Sequence, residues 1–128
     1  MVAVARTGPA HRQAGPAIRA MGWAGVIVPE AYDGSAFGYL GLGLILEETG
    51  RTLAASPLLS TAMIAASALQ LGGSDAQKQA WLPRIATGEI VASLAIDEGS
   101  HHAPARTALT AAKSGSSYVL NGTKTFVL

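Results

Sequence analysis

The densest run of residues able to do chemistry is Asp97-Glu98-Gly99-Ser100-His101-His102. Imidazole and carboxylate groups together suit zinc or iron. No further spaced ligand is evident, so no metal site is assigned and a solvated loop is the better reading. Asn121-Gly122-Thr123 fits the N-glycosylation acceptor pattern, but a tight turn explains the same residues. The chain has no cysteine, which excludes thiolate chemistry and disulfides. Neither a P-loop nor a nucleophile elbow is present, and the glycines between Gly38 and Gly43 sit in a helical apolar pattern rather than after a strand.

Composition narrows the partners. Nine basic residues against eight acidic ones leave a net charge of +1, and the basic residues are scattered from Arg6 to Lys124. That distribution is no nucleic-acid footprint. Only 13% of residues are charged while 49% are hydrophobic, so some apolar faces are expected to meet a partner or a further domain. The first twenty residues carry three arginines and two prolines without a continuous apolar segment, making the cytoplasm the default location. A length of 128 residues suits one ordinary domain.

The elements that must position any site begin with Thr52 to Ser74, twenty-three residues without a charge. About 20 apolar residues can span a bilayer. Here Ser56-Pro57 reads as a helix start and Gly72-Gly73 as its stop, which leaves a helix over Pro57–Leu71. At 1.5 Å per residue that is roughly 22 Å, short of the roughly 30 Å hydrocarbon core. Ser60, Thr61, Ser67 and Gln70 dilute it further, so the segment is expected to be a core helix and not a membrane span. Before it, Gly38 to Leu53 is helical, with Tyr39, Leu42, Ile45, Leu46, Thr49 and Leu53 on the inward stripe and a Glu47–Arg51 pair outside. After it, Ser74 and Gln77 have capping-box spacing, and Pro83 is expected to end that helix near Leu82, with another turn closing at Gly88. Trp81, Leu82 and Ile85 point inward. Met1–Pro9 reads as a frayed end, Pro16–Met21 as a short helix, and Gly22–Gly34 as an ordered connecting loop around a buried Val26-Ile27-Val28.

From Glu89 the texture changes. Ile90, Ala92, Leu94 and Ile96 alternate with Val91, Ser93 and Ala95, the period of a strand. A loop over Asp97–Arg106, a strand over Thr107–Lys113 and a turn at Ser114–Ser116 follow. Asn121-Gly122 is expected to close a type I′ hairpin between Tyr118–Leu120 and Thr123–Leu128. The fold class is α+β: an N-terminal all-helical domain (1–88) followed by the first antiparallel strands of an incomplete β-barrel-like domain (89–128). An unpaired last strand is a liability that proteins normally cover, so the chain is expected to be a fragment.

Four segments, MGWAGVIVPEAYDG (Met21–Gly34), LGLILEETGR (Leu42–Arg51), SDAQKQAWLPRIATGE (Ser74–Glu89) and SYVLNGTKTFV (Ser117–Val127), occur in an order and spacing that resemble the acyl-CoA dehydrogenase family. The resemblance covers about Ile18 to Leu128. It implies a helical domain, a central β domain and a C-terminal helical bundle, of which this chain holds the first and the opening of the second. It also implies FAD, an acyl-CoA thioester whose α-proton goes to a carboxylate base, and hydride transfer to the flavin. Such a base must be desolvated and the thioester carbonyl hydrogen-bonded. The family's base lies in the C-terminal bundle, so Glu30, Glu47, Glu48 and Glu98 read as surface or capping groups and no catalytic residue is assigned.

By the same resemblance, Ser93–Gly99 stands where a strand normally ends in Thr-Glu-Pro. That places Ile96 and Asp97 at the flavin, with Asp97 in place of the Thr and Glu98 matching. Gly99 replaces the Pro, and Ser100-His101-His102 replaces a glycine-rich run, a departure that affects the nucleotide contacts. Phe126 stands for a Trp packed against the flavin and Leu128 for a Thr that bonds it; the alternative is that both are hairpin core residues. Leu58, Leu59 and Met63 would border the acyl pocket. The implied partners are acyl-CoA and further subunits in a homo- or hetero-oligomer, without nucleic acid. Two other functions compete: a non-catalytic partner chain of a heteromeric dehydrogenase, and a flavin monooxygenase of the same architecture.

Overall fold

The computed structural model describes residues 2–5 and 20–127. The expected Pro16–Met21 helix lies outside the described residues except for its last two. The chain divides into two compact units, Val2–Leu94 and Ala95–Leu128.

The first unit is built on a folded loop and three helices. Trp23–Gly25 and Glu30–Tyr32 form single 3-10 turns. Between them Val26, Ile27 and Val28 are buried as expected. The loop doubles back on itself: the Ser35 amide donates to Gly25 O at 3.1 Å, the Ala36 amide to Val28 O at 2.9 Å and the Phe37 amide to Val26 O at 2.8 Å. This close return explains Gly34, where a Cβ would lie 2.0 Å from Val28 O.

Helix α1 spans Gly38–Arg51. Leu42 is fully buried, and Ile45 and Leu46 pack against the core. The ends of the expected stripe do not: Tyr39 is 58% exposed and Leu53 90% exposed. The helix stops before Leu53, which sits at φ 48°, and so the 3.6-residue phase no longer governs its direction. Tyr39 lies out on the surface, where its hydroxyl meets Ser67 Oγ at 2.9 Å. Arg51 pairs with Glu48 at 3.1 Å instead of Glu47, both side chains being well exposed.

The uncharged helix forms, but its first half is wound differently. A π-helical segment, Leu59–Ala65, runs directly into α2, Ala66–Gly72. The Ala66 amide reaches back five residues to Thr61 O. At its start the Leu58 amide donates to Ser56 Oγ at 3.5 Å and Ser60 Oγ donates to Pro57 O at 3.1 Å. Hydroxyls that bond to nearby carbonyls loosen regular winding. Leu58, Thr61, Ala62, Ala65, Ala66 and Leu69 face the core, while Leu59 and Met63 are 45% and 40% exposed. Among the described residues no helix is long and apolar enough to cross a membrane.

Helix α3, Asp75–Ala86, opens with the expected capping box: the Ser74 amide donates to Gln77 Oε1 at 2.9 Å and the Gln77 amide to Ser74 Oγ at 3.3 Å. It does not end near Leu82. Pro83 lies inside it, and the Thr87 amide still donates to Pro83 O at 3.0 Å. A proline inside a helix costs about 3 kcal/mol. Leu82 and Ile85, both 0% exposed, flank it. Burying two such side chains contributes roughly 1.5–3 kcal/mol each, enough to carry the helix through.

Strand β1, Val2–Ala5, pairs antiparallel with β2, Val91–Leu94, in the register Val2↔Leu94 to Ala5↔Val91. The start of the chain is therefore a strand in this region and not a frayed end; alternation over four residues was too short to distinguish from coil. Thr61 joins the π-segment to β2. Its Oγ1 donates to Ala92 O at 2.9 Å and accepts from the Ala92 amide at 3.2 Å.

In the second unit β3, Thr110–Ser114, and β4, Ser117–Asn121, form a hairpin. Its turn is Gly115-Ser116, with Gly115 at φ 62°. The Asn121-Gly122 hairpin does not form: Asn121 closes β4, Gly122 has φ 156°, and residues 122–125 are not in a strand. Lys124 and Thr125 bond to 96–99 instead. The structure is thus α+β: apart from β1 at its start, helices are followed by antiparallel strands.

Two substitutions test this account by chemical denaturation. Thr61→Val leaves the Ala92 amide and carbonyl without a partner and should cost roughly 1–3 kcal/mol per group. Thr61→Ser, which keeps the hydroxyl, should lose about 0.8 kcal/mol for one methyl; equal losses in the two variants would refute the hydroxyl's role. Gly34→Ala should destabilise by about 1–3 kcal/mol or more, because overpacking moves backbone as well as side chains.

Candidate functional site

The second unit brings two sequence-distant segments together, Ile96–Gly99 and Lys124–Phe126. The Thr125 amide donates to Asp97 O at 2.8 Å, and Thr125 Oγ1 to Gly99 O at 3.3 Å. Lys124 Nζ donates to Ile96 O at 2.8 Å and to Glu98 Oε1 at 2.7 Å. Glu98 also accepts from the Ala108 amide at 2.6 Å and the Leu109 amide at 3.0 Å. The ion pair is largely closed to water, with 8% of the Lys124 side chain and 19% of the Glu98 side chain exposed. Glu98 thus caps backbone amides, as expected, but it is also the hub of the unit.

Three of the expected cofactor residues, Ile96, Asp97 and Phe126, lie in these segments. Leu128 lies outside the described residues. Ile96 is half-buried. Phe126 projects into solvent at 78% exposure and holds φ 51°. Asp97 turns its carboxylate to His102 Nδ1, at 3.0 and 3.1 Å, and accepts from the Ala103 amide at 3.2 Å. Sequence reasoning missed Lys124. Its only signal was one cation placed between two threonines in an otherwise uncharged stretch.

Electrostatics follow this geometry. The Lys124 ammonium, followed by the Ala108 and Leu109 amides, holds the Glu98 carboxyl down at about 2, against an ordinary 4.5. The hydrogen bond from His102 lowers Asp97 too, against an opposing desolvation. Both groups are therefore carboxylates at neutral pH.

The fit to FAD divides. The Phe126 side chain is open to solvent, directly after Thr125, whose amide is bonded to Asp97 O. A pyrophosphate needs donors, and the amides of Ala103, Ala108, Leu109 and Thr125 are already bonded to protein oxygens. Two carboxylates occupy the same segment. Other donors of the same region remain: Ser100, His101 and Arg106 line a groove of about 300 Å³ beside Glu98.

The expected substrate residues lie in the first unit and have three different placements. Leu58 is 1% exposed and belongs to the core. Leu59 lines an open apolar groove of about 440 Å³ with Leu46, Thr49, Gly50, Leu53, Ala54 and Ser56. Met63 is partly exposed on the same π-segment, outside that groove.

The sign of the acid response is set by Glu98. Its folded pKa is lower than its unfolded one, so its contribution is complete above about pH 4.5 and lost as pH falls through about 2. Glu98→Gln should therefore unfold at a lower temperature than the parent at pH 7, with the gap closing between those limits. A gap that stays constant down to pH 2 would show that the ion pair is not its source.

Comparison with known proteins agrees with this architecture. The family model described as "Acyl-CoA dehydrogenase, N-terminal domain" matches residues 3–89. The chain is 36% identical over 115 residues to (2S)-methylsuccinyl-CoA dehydrogenase of Cereibacter sphaeroides, covering 87% of this chain and 21% of that protein. To the mitochondrial isovaleryl-CoA dehydrogenase of Pongo abelii it is 35% identical over 112 residues, covering 84% and 26%. The crystal structure of acyl-CoA dehydrogenase from Geobacillus kaustophilus superposes with a TM-score of 0.68 at 28% identity, covering 94% of this chain and 32% of that one. The chain thus spans between a fifth and a third of the length of these relatives. On this match through most of its helical part, the chain belongs to the acyl-CoA dehydrogenase family.

Proposed function

We propose that the chain supplies the N-terminal helical domain (1–88) and the first strands of the central β domain (89–128) of a flavin-dependent acyl-CoA dehydrogenase. The observation that carries the reading is the apolar groove at the start of the π-segment, in a chain of this family. Leu59, with Leu58 behind it and Met63 further along, is read as the wall for the acyl chain of an acyl-CoA. Its neighbours in the groove, Leu46 and Leu53, are apolar, which suits a hydrocarbon and offers little to a charged group. Ile96, Asp97, Phe126 and Leu128 are read as the chain's contribution to the flavin ring. FAD, when bound, accepts the hydride; the role of these residues is to orient the ring. No group in the described residues is read as the catalytic base. Fatty-acid or related lipid metabolism, a cytoplasmic location and assembly into a homo- or hetero-oligomer complete the proposal.

A second reading, a non-catalytic partner chain of a heteromeric dehydrogenase, is favoured by the bare apolar side chains. Phe37, Leu40 and Leu44 on or beside α1 are 73%, 81% and 58% exposed. Tyr118, Val119 and Leu120 of β4 are more than half exposed as well.

Methyl NMR of the chain with added octanoyl-CoA tests the groove. The Leu46, Leu53 and Leu59 methyls should shift while Leu42 and Leu82 do not; shifts absent from the groove would remove the acyl reading. The purified chain should also be colourless and fail to reduce a dye with an acyl-CoA. Yellow protein with turnover would show that the chain needs no further domain.

A further inference from the structure

We propose that Lys124 and Glu98 form a positioning pair that presets Phe126 as a platform for a planar ring. The proposal rests on the reading of Phe126 as a ring-contacting residue and adds how that side chain is held. Two observations need explaining together. Phe126 has φ 51°, a region that residues with a Cβ rarely occupy. It is also 78% exposed, so no core packing selects that conformation. Strained residues persist only where their surroundings overdetermine them, and such residues gather at binding sites.

The surroundings that do so lie immediately before it in sequence. Thr125 is bonded through its amide to Asp97 O and through its hydroxyl to Gly99 O. Lys124 is bonded to Ile96 O and Glu98. Two consecutive residues are thereby fixed against the 96–99 segment, and the chain leaves Thr125 in one direction. The Lys124 stem is buried and its ammonium spans a backbone carbonyl and a carboxylate. Glu98 in turn reaches the Ala108 and Leu109 amides, so the platform is tied to the approach to β3. The charged and titratable groups facing this site are Lys124 on Glu98, His102 on Asp97, and His101 and Arg106, which line a groove of about 300 Å³ with Glu98.

The test is amide NMR of the whole chain between pH 6 and 2. Ala108 and Leu109 report the state of Glu98, and Phe126 reports the platform. All three should begin to shift together only below the ordinary carboxylate range of about 4.5, as pH falls toward 2. In Glu98→Gln this shared transition should vanish, which separates it from any response of the neighbouring loop. Lys124→Met should move Phe126 to an averaged, random-coil shift at pH 6, while Lys124→Arg restores it, and the β3–β4 cross-peaks should persist in each. A Phe126 signal unchanged in Lys124→Met, or lost only together with the whole hairpin, would overturn the positioning role. Riboflavin, a ring without a pyrophosphate, separates the two readings. A shift at Phe126 supports the platform, and its absence with the coupling intact removes the ring while leaving the positional pair.

Discussion

The first unit depends on one hydroxyl. Thr61 meets both the amide and the carbonyl of Ala92, so a single helical side chain satisfies the backbone of a strand residue that another strand would otherwise have to pair. The contact is possible only at short range, and the neighbouring Ala62, Ala65 and Ala66, each 0% exposed, provide that range. Larger side chains would hold helix and strand apart, and the hydroxyl would not reach. The π winding belongs to the same constraint, since it turns Thr61 and the alanines inward while Leu59 and Met63 are left facing out. Core contact and bare apolar surface are two sides of one seven-residue segment.

The second unit is held by charge. Its hairpin is exposed along both strands and buries little, so hydrophobic burial cannot order it. The hairpin is ordered by its own five-residue pairing, and Glu98 ties the 96–99 segment to the approach to β3 by collecting one ammonium and two amides, while Lys124 adds the Ile96 carbonyl. A nearly closed ion pair whose carboxylate also accepts two backbone amides escapes the penalty that a lone buried charge would carry.

Much of the helical part was legible in the sequence because it is encoded locally. Ser74 and Gln77 cap α3 through neighbours three residues apart, and Gly72-Gly73 stops α2 for backbone reasons that no distant contact alters. Pro83 was misleading because its cost is local while the burial of Leu82 and Ile85 that outweighs it is not. Asn121-Gly122 misled for a related reason. Its turn preference is worth less than the bonds that residues 124 and 125 make with 96–99, and the neighbouring Gly115-Ser116 closes the hairpin at no such cost. Asp97 and Phe126 were placed by resemblance to a family, and Lys124 by nothing local.

The sequence by itself determined the helical elements, the change from helices to strands near Gly88 and the family, since periodicity, caps and segment spacing are carried by residues close together along the chain. Only the tertiary structure decided that Val2–Ala5 is a strand, that the uncharged helix begins with a π-segment, and that Glu98 finds Lys124. Each of these rests on a contact between residues some twenty-five or more positions apart. Such partners are selected by packing and by the need to satisfy buried polar groups, and neither can be read from a local pattern of residue types.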